Sequence, residues 1–588
     1  LQLAGRLSLP VIVAYDGFFT SHQKRNSQVF AHDEDVQTFI GPCPNRLHAL
    51  DPEHPVTIGS YMNEPDLMNN KYQLHLAMEQ ARSFIPEVFR EYAQLCGRQL
   101  SPVKGYKTED AQVLLFVLGS AYLTAQAAVD SLRRQGIWAG VFTLNVLRPF
   151  PAREVAELCK NAQTILIADR QDSYGAGGGN MSLEIRSALQ QHGLTPRVIT
   201  RIYGLGGRDF FQEEAEELLR TCFDPHTPDF GYLGVYPGQS GFVPTTYFQP
   251  VTAQQASPGL TRCVEEDGKV TVSGGALRDT TAMPKRLAPG HGACPGCGIP
   301  VNVNLLLRGI EGNVVLLFQT GCGMVVTTGY PKTAFKVPYV HNLFQNGAAT
   351  LAGLSHMYHQ RQSRGELPPG PITFVMVSGD GGMDIGMGSA LGTALRGDPV
   401  ILFEYDNGGY MNTGYQLSYS TPLGARSATS HLGERQWGKS FFHKDMPRIM
   451  AATGMPYVAT AAESTPADFI RKAAKAQHYA LHHGTAYLKC LSACPLNWGD
   501  KPSTERQVIA SAVDCCYFPL YEVEQGRTTL SHDPEAKGKK IPVTDWLGQM
   551  GRTRHLCRQE YRQVAEEIQQ EVDRRWQRLK AQAEHPLL

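Results

Sequence analysis

Several common features are missing from this sequence, and each absence removes a class of function. No apolar run reaches the roughly 18 residues that a membrane helix needs. Neither sign of charge dominates: Lys plus Arg and Asp plus Glu stand at 55 each, so nothing draws the chain electrostatically to nucleic acid or an anionic membrane. Thirteen cysteines in 588 residues are too few for a disulfide scaffold, and their uneven placement suggests metal or redox chemistry in a reducing, cytoplasmic setting. Internal repeats and low-complexity tracts are also lacking. The opening residues, LQLAGRLSLPVIVAYDGFF, have neither the basic start nor the small-residue cleavage site of a signal peptide. They have no initiator Met and lead almost at once into a strand-like run, which reads as the middle of a domain.

What is present is an ordinary globular composition, 42% hydrophobic and 19% charged. The length calls for three or four domains. Residues 1–98 contain one strand-like run, VIVAY from Val11 to Tyr15, and a helical pattern from about Asn70 to Leu95. Over 99–225 the pattern becomes QVLLFVLG, the amphipathic AQAAVDSLRRQG and AGVFTL, then TILIADR and a helix near Met181–Gln191. Strands alternating with helices predict a doubly wound parallel sheet. The stretch 226–284 is rich in Pro, Gly, Thr and Ser and reads as a linker. The alternation resumes over 285–504, with strands at 314–318, 372–377, 400–405, 457–460 and 486–492. The remainder, 505–588, reads as an extension ending in a charged surface or subunit-contact helix, Arg558 to Ala583. The expected class is α/β: two doubly wound domains preceded by part of a third.

The segment VMVSGDGGMDIGMGSALGTALRGDPVILFEYDNGGYMNTGYQ carries the first chemistry. A strand runs into Gly379-Asp380-Gly381-Gly382, then a small-residue helix that Gly397 can end. The next strand runs into Asp406-Asn407-Gly408-Gly409. A crossover helix between two parallel strands sets both loops at one carboxyl edge, where α/β sheets bind ligands. Glycines let backbone N–H groups approach a phosphate closely. Asp380 offers a carboxylate oxygen and Asn407 an amide oxygen, both suited to Mg²⁺.

Cysteines supply the second. Cys294 and Cys297 form a C-x2-C, while Cys322 and Cys494 each follow an expected strand. Four thiolates hold a [4Fe–4S] cluster or a structural Zn²⁺; zinc usually takes two C-x2-C pairs, so one pair plus two distant cysteines favours the cluster.

These motifs, GH-x2-CPGCG, TGC, GDG, DN-x2-Y-x-NTG-x-Q and LS-x-CP-x2-W, resemble in kind and order those of pyruvate:ferredoxin oxidoreductases and related 2-oxoacid:ferredoxin oxidoreductases. The first half resembles the α part of those enzymes through LPVIVAYDGFFTSH, NVLRPFP and IYGLGGRD, and the second half their thiamine-binding β part. The resemblance implies a transketolase C-terminal-like domain over 99–225 and a thiamine-diphosphate domain over 285–504. It implies Mg²⁺ on Asp380, Asn407 and the Gly409 carbonyl, and cofactor contacts from Gly379, Gly381, Gly382, Tyr410, Asn412 and Thr413. Cys294, Cys297, Cys322 and Cys494 match the proximal-cluster ligands, and His341 and Asn342 line the cleft. The implied reaction is oxidative decarboxylation of a 2-oxoacid, pyruvate first, with CoA as acyl acceptor and ferredoxin as electron acceptor. Branched 2-oxoacids, 2-oxoglutarate, aryl glyoxylates and oxalate are alternatives.

The family's activating glutamate and its ferredoxin-like domain have no counterpart here, so either another chain in a homo- or hetero-oligomer supplies them or the sequence is a fragment. A non-redox thiamine lyase with a zinc-stapled loop and a non-catalytic partner chain are the rival readings. His291 could meet substrate or order the cysteine loop. Asp16, Thr20, Ser21 and His22 lie in the DGFFTSH turn, where a capped helix start explains Thr20 and Ser21 equally well. Gly175–Gly179 reads as a loop, and Cys490, Cys515, Cys516 and Cys557 as structural or free thiols.

Overall fold

Short β-branched and aromatic runs become strands because pairing and burial reward them together. In the first half these are Val103–Tyr106 (β1), Val113–Phe116 (β2), Ala139–Leu144 (β3), Thr164–Asp169 (β4), Arg197–Ile202 (β5) and Phe230–Tyr232 (β6). This computed structural model describes the chain except residues 18–19, 22–23, 25, 43–52, 54, 56–60, 236–259, 284, 330–332, 368–369 and 586–588. It divides into two units, Leu1–Phe242 and Val243–Leu588.

The first unit's sheet has the order β1-β3-β2-β4-β5-β6, parallel throughout except for β1. Alternate β2 residues feed two cores. Val113 and Leu115 pack with the helices Ala121–Arg134 and Gln212–Thr221, while Leu114 and Phe116 pack with Ala152–Cys159 and Asn180–Gln191. Helices on both faces make the sheet doubly wound.

Two expectations for the start of the chain change. The helix pattern is realised as Asp66–Cys96, but VIVAY forms no strand: Ile12 is 88% exposed and Val13 81%. Apolar composition alone does not make a strand, and no described residue of this unit pairs with that run. Thr20 and Ser21 start no helix, and His22 lies outside the described residues. Asp16 instead accepts a hydrogen bond from the Ser120 N–H at 2.6 Å, at the head of the helix Ala121–Arg134.

The second unit contains Thr261–Glu266 (β7), Lys269–Gly274 (β8), Asn313–Gln319 (β9), Tyr339–Asn342 (β10), Ile372–Gly379 (β11) and Ile401–Asp406 (β12). They are followed by Leu432–Gly433 (β13), Gln436–Trp437 (β14), Tyr457–Ala462 (β15), Ala486–Leu491 (β16), Tyr521–Glu524 (β17) and Arg527–Leu530 (β18). Eight of them form one sheet in the order β10-β9-β11-β12-β16-β15-β17-β18, parallel from β10 through β15. After β9 the chain moves outward to β10, then returns to place β11 on the other side of β9. The direction therefore reverses between β9 and β11, which opens a crevice at their carboxyl ends.

Two further readings are corrected. The last part of the stretch read as a linker folds into the β7–β8 hairpin, with Val270 fully buried in the main core. The C-terminal stretch is not a peripheral extension: β17 and β18 join the sheet. The last helix, Arg562–Glu584, buries Ala565, Ile568, Val572, Trp576 and Leu579. These apolar positions recur at helical spacing, but the charges between them hide the stripe. Trp498, Trp546 and Trp576 share that core.

Candidate active site

The carboxyl ends of β9, β10, β11, β12 and β16 carry the residues singled out above. The expected turn after β11 is shorter than foreseen, because a helix Asp380–Ile385 begins at once and a second, Met387–Arg396, ends at Gly397 with φ 67°. Asp380 is buried and organises the loop after β12. One carboxylate oxygen accepts the Asn407 N–H at 3.3 Å; the other accepts the Gly409 N–H at 2.9 Å and the Ser418 hydroxyl at 2.5 Å. Gly381 is required by space: a Cβ there would lie 2.5 Å from Tyr410 Cε1. Thus Tyr410 closes over the glycine turn. Thr413 bonds Gln416, and Asn412 is exposed.

Beneath the loop lies a buried network of ionisable groups. Lys489 pairs with Asp406 at 2.6 Å and Glu404 at 3.2 Å. Lys444 pairs with Asp384, stands 3.8 Å from Glu404 and donates to the Asp380 carbonyl at 2.9 Å. Burial, then the charge of Asp406, pushes Asp380 up to about 8. Asp406 is held below the ordinary carboxylate range: burial opposes this, but Lys489 and Lys444 outweigh it. Burial likewise lowers Lys439 to about 8; its ammonium donates to the Thr421 carbonyl at 2.6 Å.

The thiol loops meet beside this network. The Gly298 N–H donates to the Ala493 carbonyl at 3.1 Å, which joins the C-x2-C loop to the Cys494 loop. Any Cβ at Gly298 would stand 2.8 Å from the Ala493 nitrogen, so only glycine permits the approach. The Gly292 N–H donates to the Val326 carbonyl at 2.7 Å, tying the same segment to the short helix Cys322–Thr327. The Gly323 N–H in turn donates to the Tyr405 hydroxyl at 3.0 Å. As a result the four thiols sense one another. Burial raises Cys297 and Cys322 to about 12; Cys494 and Cys294 add to both, and Cys297 adds to Cys322. Cys494, raised chiefly by burial, also feels Cys294. Among the described residues, the buried His291 Nδ1 meets no hydrogen-bond partner.

Trp498 connects the two halves of the site. Its indole N–H donates to the Asn407 carbonyl at 2.7 Å, and its backbone N–H donates to the Cys494 carbonyl at 2.8 Å. Arg552 lies over the Trp498 ring at 4.5 Å and donates to the Gly408 carbonyl at 3.1 Å. At the end of β10, His341 Nε2 lies 2.9 Å from the Thr320 hydroxyl, and burial lowers the imidazole's pKa. Asn342 donates to the Thr350 hydroxyl at 2.6 Å. Cys490, Cys515 and Cys516 are buried in the cores, and Cys557 is exposed.

Sequence reasoning named the two loops, the thiols and the β10 pair, which lie at or beside this carboxyl edge. It missed Ser418, Lys439, Lys444, Lys489 and Arg552, which reach the site from far along the chain. Trp498 appeared within a motif, although its link to Asn407 carried no sequence signal. Behind the loop, a cavity of about 410 Å³ is lined by Asp406, Lys489, Trp498, Arg552 and Arg575, among others.

Comparison with known proteins gives three family matches. Residues 1–90 match "Pyruvate flavodoxin/ferredoxin oxidoreductase, thiamine diP-bdg", residues 111–215 match "Pyruvate:ferredoxin oxidoreductase core domain II", and residues 320–490 match "Thiamine pyrophosphate enzyme, C-terminal TPP binding domain". Pyruvate synthase subunit PorB of Methanothermobacter marburgensis is 40% identical over 283 residues, covering 48% of this chain and 94% of its own. PorB of Thermotoga maritima is 38% identical over 299 residues, covering 50% and 90%. Ketoisovalerate oxidoreductase subunit VorB of Pyrococcus furiosus is 30% identical over 308 residues, covering 52% and 96%.

Proposed function

The chain belongs to the 2-oxoacid:ferredoxin oxidoreductase family, and from that premise we propose that it oxidatively decarboxylates pyruvate with CoA, yielding acetyl-CoA, CO₂ and reduced ferredoxin. The observation that carries this reading is Trp498, which hydrogen-bonds the Asn407 loop from the same short segment that presents Cys494. A cofactor loop tied by the Trp498 indole to the segment that presents Cys494 suits a reaction that removes electrons where it breaks the carbon–carbon bond.

The residues suit the groups such a reaction needs. Thiamine diphosphate, when bound, supplies the electron sink for loss of CO₂. Asp380, Asn407 and the Gly409 carbonyl offer the all-oxygen donor set that Mg²⁺ prefers. A buried Asp380 that burial and Asp406 push toward neutrality is a carboxyl to which a dication restores charge. Cys294, Cys297, Cys322 and Cys494 suit a [4Fe–4S] cluster, since each lies within electrostatic reach of the others. Ser418 and the loop N–H groups orient the Asp380 carboxylate; Tyr410 covers the glycine turn, with Gly379 and Gly382 beside it. Asn412 and Thr413, which follow on the same loop, would contact the diphosphate. His341, with Asn342, is assigned to the 2-oxoacid from its place at the carboxyl end of β10, beside the Thr320 hydroxyl.

The relatives are named as subunits, which supports assembly with further chains. Among the described residues no helix is long and apolar enough to cross a membrane. The cytoplasm, whose reducing poise keeps thiols free for iron, suits the reading. The test uses the assembled complex, purified anaerobically and given pyruvate, CoA and ferredoxin. CoA-dependent ferredoxin reduction is expected. Faster reduction with 2-oxoisovalerate or 2-oxoglutarate would overturn pyruvate as substrate, and no reduction with any 2-oxoacid would overturn the whole reading.

A further inference from the structure

At the opposite, amino-terminal edge of the large sheet, three side chains with metal-binding donors converge. Glu265 lies on β7. His478 lies in the last turn but one of the helix Pro466–His482, and His483 caps it. One Glu265 carboxylate oxygen lies 2.7 Å from His478 Nε2 and 3.0 Å from His483 Nε2. The three donor atoms all fall within 4.8 Å of one another. Bonds of about 2.0–2.2 Å from nitrogen and oxygen to a tetrahedral ion set donors roughly 3.3 Å apart, so small side-chain shifts would admit one.

The convergence follows from matched rises. Two residues before Glu265, the Cys263 thiol lies 3.8 Å from the Ala474 carbonyl, one helical turn before His478. Two strand residues advance about 6.6 Å and four helical residues about 6 Å, so the hairpin lies along the helix in register. The next contact must fall at the helix C-terminus. There the backbone dipole is negative and favours a cation. The side chains stay accessible, at 30% for Glu265 and His483 and 17% for His478.

We propose that Glu265, His478 and His483 form a site for a divalent transition-metal ion of the Zn²⁺ type, which clamps the β7–β8 hairpin onto the C-terminus of this helix. Two imidazoles and one carboxylate are a donor set that Zn²⁺, Co²⁺ and Ni²⁺ accept, with water completing the coordination. The helix passes through His483 and Gly484 into β16, whose far end leads to Cys494. Six strand residues, about 20 Å, separate the ion from the cofactor edge, so its role is to fix the hairpin and not to take part in the reaction.

Co²⁺ titration of the purified full chain, followed by visible absorption, tests this. Wild type is expected to bind one equivalent showing ligand-field bands without sulfur-to-metal charge transfer, the latter being the mark of binding at the cysteines. Glu265→Gln and His483→Ala should each weaken that binding by about tenfold or more. Zn²⁺ should raise the Tm of wild type and leave both variants unmoved. Equal Co²⁺ affinity in all three proteins overturns the proposal, and so does cobalt bound only with sulfur charge transfer.

Discussion

Two strands, one in each unit, end in an aspartate at the carboxyl edge of a parallel sheet, yet the two aspartates do different work. Asp169 closes β4, and its carboxylate accepts the Met181 N–H at 2.9 Å, starting the next helix. Burial, its leading influence, raises its pKa. Asp406 closes β12, is equally buried, and is held ionised by Lys489 and Lys444. Similar topology therefore yields a helix cap where the described residues give the aspartate no ion pair, and part of a charged edge where lysines reach in. The topology supplies the position, and the partner decides the chemistry.

The comparison would break most severely at the thiols. Cys322→Ala and Cys494→Ala should each lose the iron–sulfur cluster entirely, whereas Cys515→Ala and Cys516→Ala, whose thiols are buried in a core, should keep it. Iron content and low-temperature EPR of the four variants decide the matter; full occupancy in Cys494→Ala would relocate the fourth ligand. Next in size, Asp380→Ala should abolish Mg²⁺-dependent binding of thiamine diphosphate while the cluster spectrum persists. A titration giving near wild-type affinity would refute Asp380 as the metal ligand.

The contrast sharpens at the lysine. Lys489→Met leaves Glu404 and Asp406 buried without their nearest cation, and should cost about 3–5 kcal/mol in urea unfolding. Asp169→Asn keeps an acceptor for the Met181 N–H and should cost no more than about 1 kcal/mol. Equal losses in the two variants would mean that the lysine network is not what distinguishes the edges.

The smallest effect concerns Glu463, beneath the thiol loops. Burial, then the adjoining Glu505, pushes its pKa up to about 10 from an ordinary 4.5. The folded chain then holds this proton more tightly than the unfolded chain, so the stability contribution is present below about pH 4.5 and declines as pH rises toward 10. Glu463→Gln removes that slope. The variant should melt about 2–4 °C higher near pH 8, with the gap widening on further alkalinisation and closing near pH 5. Parallel melting curves across that range would show that Glu463 is ionised in the fold.

Legibility in the sequence followed distance along the chain. The buried parallel strands read as near-continuous apolar runs, so most were visible. Asp380, Asn407 and the four cysteines sit in short motifs whose chemistry is local. Lys489 looked like an ordinary charge interrupting a strand, and Arg552 lay in a stretch with no pattern; only tertiary packing brings them to the loop. The opposite error occurred at Val11–Tyr15, where local composition promised a strand and no partner was found among the described residues. Along Arg562–Glu584 the helix itself was legible, but its charges concealed the apolar stripe that fills a core with Trp576.

Arg552 also has a consequence for the order of synthesis. Its guanidinium meets the Gly408 carbonyl from 144 positions further along the chain. At roughly 5–20 residues per second, a ribosome takes on the order of ten seconds to make that length. Through that interval the nascent chain carries Asp380 and Asn407 without the brace that completes their loop. The N-terminal sheet, by contrast, has every strand in hand by Tyr232. The first unit's scaffold is thus complete well before the loop after β12 is braced, so any ligand of that loop meets a settled site only once Arg552 has been made.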